Sequence, residues 1–210
     1  MKPVLLASYP RSGNTFLRTI MKSCFNLKSA SVYPNDLGGN KKLEEDVGHI
    51  EHVDGRIPLK AFNDKIPLLK THELRTTDDR AIYVIRDARP CALSMYNFYR
   101  KKVPLEEIVL GRHRWGKWTD HIDSWTNERS KNTLVLKYEV LVENLDISLS
   151  SIAEFLGAEA IDNKAPPRGS VSDGRWINKQ SKSWQDVMTK QQIELCTHVN
   201  RKCLEKYGYL

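Results

Sequence analysis

The sequence predicts an α/β fold of three layers, with a central parallel β-sheet flanked by helices. Three observations carry that expectation. Short apolar runs at Val4 to Ala7, Ile66 to Lys70, Ala81 to Ile85 and Thr133 to Lys137 have the near-continuous hydrophobicity of strands buried on both faces. Stretches with helical periodicity fall between these runs, the alternation that right-handed βαβ crossovers produce. The first strand also passes through a polar turn directly into a helical pattern, forming a strand, loop and helix unit. Open parallel sheets bind ligands at the carboxyl ends of their strands, so function is sought in the loops that follow them.

Each element has its own signal. Phe16, Leu17, Ile20, Met21 and Cys24 recur at helical spacing after the first loop. Pro90 suits the first turn of a helix on which Ala92, Met95, Tyr96 and Tyr99 share a face and Ser94 sits in the first turns. Further helices are expected over Gly116 to Asn127, Ser148 to Leu156 and Lys190 to Lys206. The stretch from Ser29 to Asp64 has weak periodicity, the pair Gly38-Gly39 and many charges, and reads as an irregular insertion or lid with a short helix. A second irregular stretch covers Asp162 to Lys182, and no internal repeat is evident.

A chain of 210 residues fits one domain spanning 1–210 and is long enough to bury a sizeable core. Its 40% hydrophobic and 28% charged residues are those of a globular protein, which sets disorder aside. The net charge of +7 favours anionic partners. Lysine and arginine are scattered instead of forming a tail or one basic helix, and no aromatic and basic repeat marks a nucleic-acid platform, so a small polyanion is expected and nucleic acid is not. Cys24, Cys91, Cys196 and Cys203 lack metal-site or disulfide-scaffold spacing, so reduced thiols and no metal site are expected. The apolar stretch at Val4 to Ala7 is too short for a signal peptide or a membrane span, and the expectation is a cytoplasmic protein with no membrane partner.

Three segments carry chemistry. Tyr9-Pro10-Arg11-Ser12-Gly13-Asn14-Thr15 lies between a strand and a helix start, where free N–H groups and the helix dipole attract a phosphate. Taken alone it fits equally a plain turn capped by Asn14 or Ser12. With one glycine and no lysine in the GxxxxGK[ST] position, it disfavours a nucleoside-triphosphate kinase. Second, Arg86 ends a strand and Ser94, eight residues on, lies in the following helix; a charged fork and a hydroxyl so placed can meet one phosphate. Third, Leu69-Lys70-Thr71-His72-Glu73 sets a lysine and a histidine at a strand end, and a histidine titrating near pH 6.5 can accept a proton near neutrality. The remaining histidines, His49, His52, His113, His121 and His198, read as packing or capping residues.

Together these segments resemble the sulfotransferase family nearly along the whole chain. The first loop is similar to the family's 5′-phosphosulfate loop, Arg86 and Ser94 to its 3′-phosphate pair, and Lys70-Thr71-His72 to its catalytic segment. Trp115 to Trp125, the strand ending Lys137-Tyr138-Glu139, and Phe155-Leu156-Gly157 match further family features, and Arg168-Gly169 matches more loosely the basic-glycine segment that closes on the nucleotide.

The resemblance implies a P-loop NTPase-like fold and transfer of a sulfuryl group from 3′-phosphoadenosine 5′-phosphosulfate (PAPS) to a hydroxyl or amine, leaving 3′-phosphoadenosine 5′-phosphate (PAP). It implies His72 as general base, with Arg11 and Lys70 stabilising charge on the transferred group. Nucleotide contacts are implied at Arg11, Ser12, Gly13, Asn14, Thr15, Phe16, Arg86, Ser94, Tyr138, Arg168 and Gly169. Two departures stand out: Arg11 where cytosolic members usually carry lysine, and Phe16 where they often have tryptophan. Arginine keeps the charge but presents a planar fork, so it meets an oxygen differently. A nucleotide-dependent kinase and a catalytically inactive nucleotide-binding module are the competing readings. The acceptor, whether phenol, alcohol, amine or sugar, and the oligomeric state are left open.

Overall fold

A computed structural model describes residues 3–54, 66–128, 130–164 and 183–210. Six parallel strands form one sheet: β1 (Val4–Ser8), β2 (Ser29–Ser31), β3 (His49–His52), β4 (Leu68–Thr71), β5 (Ala81–Ile85) and β6 (Thr133–Lys137), in the order β3-β2-β4-β1-β5-β6. The helices between and after them are α1 (Asn14–Phe25), α2 (Lys41–Asp46), α3 (Ala88–Phe98), α4 (Leu105–Val109), α5 (Trp118–Thr126), α6 (Tyr138–Glu143), α7 (Leu145–Leu156), α8 (Trp184–Val187) and α9 (Lys190–Lys206).

Side-chain alternation along the strands builds the two outer layers. Val4 and Leu6 of β1, Ile82 and Val84 of β5 and Leu136 of β6 pack with Leu17, Ile20, Met21 of α1 and Leu149, Ile152 of α7. Ala7, Ala81, Tyr83 and Ile85 point the other way, against Cys91 and Met95 of α3, Ile108 of α4, Ile122 and Trp125 of α5 and Leu204 of α9. β1 lies between β4 and β5, with Leu6 beside both Lys70 and Ile82. The carboxyl ends of three adjacent strands, and the residues that follow them, are thereby brought side by side.

The structure corrects the reading of residues 29–64 as an irregular insertion. Within its described part, β2 and β3 extend the sheet beyond β4, and the short helix expected there is α2, which lies between them. β2 is three small polar or alanine residues, and β3 is an edge strand reading His-Ile-Glu-His, so neither presents the apolar run that betrays a buried strand. α3 begins at Ala88, which sets Pro90 in its first turn as expected, with Asp87 as its N-cap accepting from the Arg89 N–H.

Candidate active site

The loop after β1 enters α1 through Gly13, the N-cap, which sits at φ 104° and makes no side-chain cap bond. The plain turn capped by Ser12 or Asn14, the alternative to a phosphate loop, is therefore not what the structure shows. Both side chains turn inward: Ser12 Oγ lies 3.3 Å from Cys91 Sγ, and Asn14 Nδ2 donates to the Leu6 carbonyl at 3.0 Å and to Ser8 Oγ at 3.4 Å. With no acidic residue in the first turn, the opening N–H groups of α1 and the positive end of its dipole are left to an anion. A Cβ on Gly13 would come within 2.4 Å of Cδ2 of Tyr138, so the loop is closed against that ring and only glycine fits.

Arg11, Arg86 and Ser94 converge beside this loop. Arg11 Nε donates to Ser94 Oγ at 3.1 Å, and Arg86 Nη1 donates to the Arg11 carbonyl at 3.1 Å. Arg11 takes up a left-handed backbone, φ 69°. The Arg86 guanidinium lies 4.4 Å from the Tyr138 ring centre, while the indole of Trp118 donates to the Arg86 carbonyl at 3.1 Å. Phe16 is buried and meets the half-buried Tyr138 edge to face at 6.4 Å. The loops after β1 and β5 and the helices α1, α3 and α6 thus gather two cations, a hydroxyl and two aromatic rings at one corner of the sheet. Thr15 sits partly exposed in the first turn of α1. Arg168 and Gly169 lie outside the described residues.

His72 follows β4 on the other side of the loop. Its Nδ1 lies 2.8 Å from the Ser8 carbonyl and 3.3 Å from Ser8 Oγ. A carbonyl oxygen only accepts, so Nδ1 carries the proton and Nε2 the lone pair. Burial first, and then the Lys70 cation, hold the imidazole well below its usual pKa, so it is neutral at pH 7. Tyr33 stacks on it with ring centres 5.8 Å apart, and Trp115 meets it edge-on at 5.8 Å. The backbone is pinned as well: the His72 N–H donates to the Tyr33 hydroxyl at 2.8 Å, and His121 Nε2 donates to the His72 carbonyl at 2.9 Å. Burial pushes His121 down to about 4, so this prop is neutral too, its Nδ1 accepting from the Tyr83 hydroxyl at 2.9 Å.

Lys70, buried at the end of β4, makes an ion pair with Asp36, whose other oxygen takes Arg18 Nη1 at 2.6 Å. Around the candidate site, Asp36 is a residue that sequence reasoning passes over, and Tyr33 and His121 read there only as an aromatic and a histidine more suited to packing. Tyr33 and Asp36 lie in the charged stretch without periodicity, and His121 looks like any histidine on a packed helix face; only the tertiary meeting reveals them. Among the described residues, no group of three His, Cys, Asp or Glu side chains could hold a metal ion. No helix there is long and apolar enough to cross a membrane.

The fold and site define a class first: three-layer α/β with the loop after the first strand feeding a helix N-terminus at the sheet's carboxyl edge, the P-loop-like arrangement. The chain belongs to the sulfotransferase family, whose domain profile it matches over residues 1–173. It is 26% identical over 171 residues to sulfotransferase 1 family member D1 of Mus musculus, covering 73% of this chain and 58% of that one. It is 27% identical over 170 residues to a 3-alpha-hydroxysteroid sulfotransferase of Cavia porcellus, with the same coverage of each. The chain thus spans somewhat over half the length of these relatives. In fold it resembles a mouse sulfotransferase, SULT7A1, solved in complex with PAP, at a TM-score of 0.66 and 22% identity, covering 99% of this chain and 88% of that one.

Proposed function

We propose that this protein transfers the sulfuryl group of PAPS to a hydroxyl or amine of an acceptor, with His72 as general base. The observation that carries the reading is the placement of a neutral histidine, with its Nε2 lone pair available, beside an uncapped helix N-terminus gathered with Arg11, Arg86 and Ser94. Family membership and the PAP-bound relative of like fold support it. The residues present suit the donor: the first turn of α1 carries no acidic residue or side-chain cap, and the Arg11 and Arg86 guanidinium groups match anionic oxygens as planar forks.

When bound, PAPS supplies an activated sulfuryl group. The first N–H groups of α1, from Asn14 and Thr15, would hold its 5′ end together with the Gly13 N–H, while the Ser12 N–H is given to the Tyr9 carbonyl at 3.2 Å and braces the loop. Arg86 and Ser94 would take the 3′-phosphate, Arg168 and Gly169 join them as the family resemblance implies, and Phe16 and Tyr138 would flank the adenine. His72 Nε2 accepts the acceptor's proton, while its Nδ1–H bond to Ser8 fixes the ring. Arg11 and Lys70 offset charge on the transferring group in a site whose cations are already in place. The four free, buried cysteines suit a reducing cytoplasm.

The test is transfer of labelled sulfuryl from PAPS to a panel of phenols, alcohols, amines and sugars. Label transfer in the native protein, abolished in His72→Ala, is the expected result. Turnover that survives intact in His72→Ala removes the base from its role, and phosphoryl transfer from ATP with magnesium, but none from PAPS, replaces the reading with a kinase.

A further inference from the structure

Lys70 is an expensive residue to bury. Its side chain is 8% exposed, and a lone ammonium taken from water would lose its proton unless a counter-charge held it. The carboxylate that meets it comes from outside the strand. Asp36 lies in the segment between β2 and α2, with its side chain 3% exposed. One oxygen faces Lys70 Nζ; the other accepts from Arg18 Nη1 at 2.6 Å.

Each of the three Arg18 guanidinium nitrogens has a partner, which makes it an anchor for the aspartate. Its Nε donates to Ser29 Oγ at 2.7 Å, and its Nη2 lies 3.1 Å from His49 Nδ1, which must accept because a guanidinium only donates. Burial raises the Asp36 carboxyl, but Lys70 and then Arg18 outweigh it, and Asp36 stays below the usual carboxylate range. The groups facing Lys70 from each side are Asp36 and Tyr33 from the segment after β2, Arg18 from α1, Arg11 from the loop after β1, and His72 two residues along. Tyr33 offers its ring face, 5.4 Å from Nζ. Among them only Asp36 favours the ammonium through its charge; burial, Arg18 and Arg11 all push towards the neutral amine.

An ion network of this kind is no better for stability than apolar side chains of equal volume. Its position at the end of the strand that carries His72 points instead to the reaction. We propose that Asp36 is a positioning residue of the transfer site: anchored by Arg18, its carboxylate fixes the Lys70 ammonium beside the phosphate loop. Arg18 supplies the anchor and Lys70 the working charge, and the inference rests on the sulfotransferase reading above.

The sign of the pH dependence follows. Lys70 is held at about 8 with Asp36 present, so its charge, and the contribution it makes to transfer, is lost as pH rises through that value. Removing a contacting carboxylate lowers a buried lysine further, by about 1–3 pH units. A drop of one unit takes the charged fraction at pH 8 from about one half to about one in eleven, roughly a fivefold loss.

Two readouts test this in the whole protein. In Asp36→Asn the alkaline limb of kcat for PAPS-dependent transfer moves down by at least about one pH unit, transfer at pH 8 falls about fivefold or more, and lowering the pH towards 6 restores it. Asp36→Glu, which keeps the charge, keeps the limb near its native position. Separately, the ε-carbon resonance of Lys70, assigned by its loss in Lys70→Met, titrates near 8 in the native protein and lower in Asp36→Asn. An unmoved limb together with an unmoved Lys70 titration overturns the proposal. If Asp36→Asn does not fold, the native titration and Asp36→Glu decide: a Lys70 titrating at the ordinary lysine value, or a limb displaced in Asp36→Glu, overturns it equally. A native protein that moves no label from PAPS refutes the sulfotransferase reading, while the Lys70 titration still reports whether Asp36 holds the charge.

Discussion

Gly13→Ala is the substitution whose effect the geometry fixes most closely. The backbone there lies at φ 104°, where an L side chain is strained by roughly 1–2 kcal/mol. The added Cβ would stand 2.4 Å from Cδ2 and 2.8 Å from Cε2 of Tyr138, and forcing a methyl into a packed contact costs about 1–3 kcal/mol more. The sum is about 2–5 kcal/mol, which for a chain of this size lowers Tm by about 4–20 °C. Thermal unfolding of Gly13→Ala, Tyr138→Ala and the double variant separates the two causes. Truncating Tyr138 removes the clash but not the backbone strain, so the double variant is less destabilised than the sum of the singles by about 1–3 kcal/mol. A Tm within about 1 °C of native for Gly13→Ala, or strict additivity, would refute the packing of Tyr138 against the loop.

Three further outcomes are expected. His72→Ala loses about 100- to 10,000-fold in transfer while PAP binding persists, and in the native protein the acid limb of kcat/KM lies below the usual histidine value, because the buried imidazole stays neutral down to lower pH. Arg86→Ala weakens PAP by about 10- to 100-fold in equilibrium titration, the scale of a lost charge-assisted hydrogen bond, and Arg86→Lys restores it only in part. His121 is neutral when folded and held at about 4, so the stability it contributes is complete above the unfolded value of about 6.5 and lost as pH falls towards 4. That loss is about 3 kcal/mol, and a Tm measured from pH 7 to 4 falls less steeply in His121→Gln than in the native protein.

What the sequence could reveal was set by where apolar side chains lie. β1, β4, β5 and β6 are buried runs and were legible as such, whereas Ser29–Ser31 and His49–His52 gain strand conformation from pairing with neighbours already in place. α6 was hidden because it begins at Tyr138 without a loop, directly after the last residue of β6. In the site, Arg11, Arg86, Ser94 and His72 were legible because each sits at or just beyond a strand end or in the helix that follows it. Spacing offers Asn14 and Ser12 as caps of a plain turn, whereas their side chains hold the loop from beneath. Tyr33 and Asp36 carry no periodic or motif signal; their part depends on β2 lying beside β4, a neighbour relation that spacing does not encode.

Thermal stability with PAP, compared with AMP and with ATP plus magnesium, tests the central claim most directly. A ligand of the native state present at 100 times its Kd stabilises by about 2.7 kcal/mol. A clear rise in Tm with PAP, a smaller rise with AMP, which lacks the 3′-phosphate, and loss of the difference in Arg86→Ala are the expected results. Stabilisation by ATP with magnesium and none by PAP would contradict that claim.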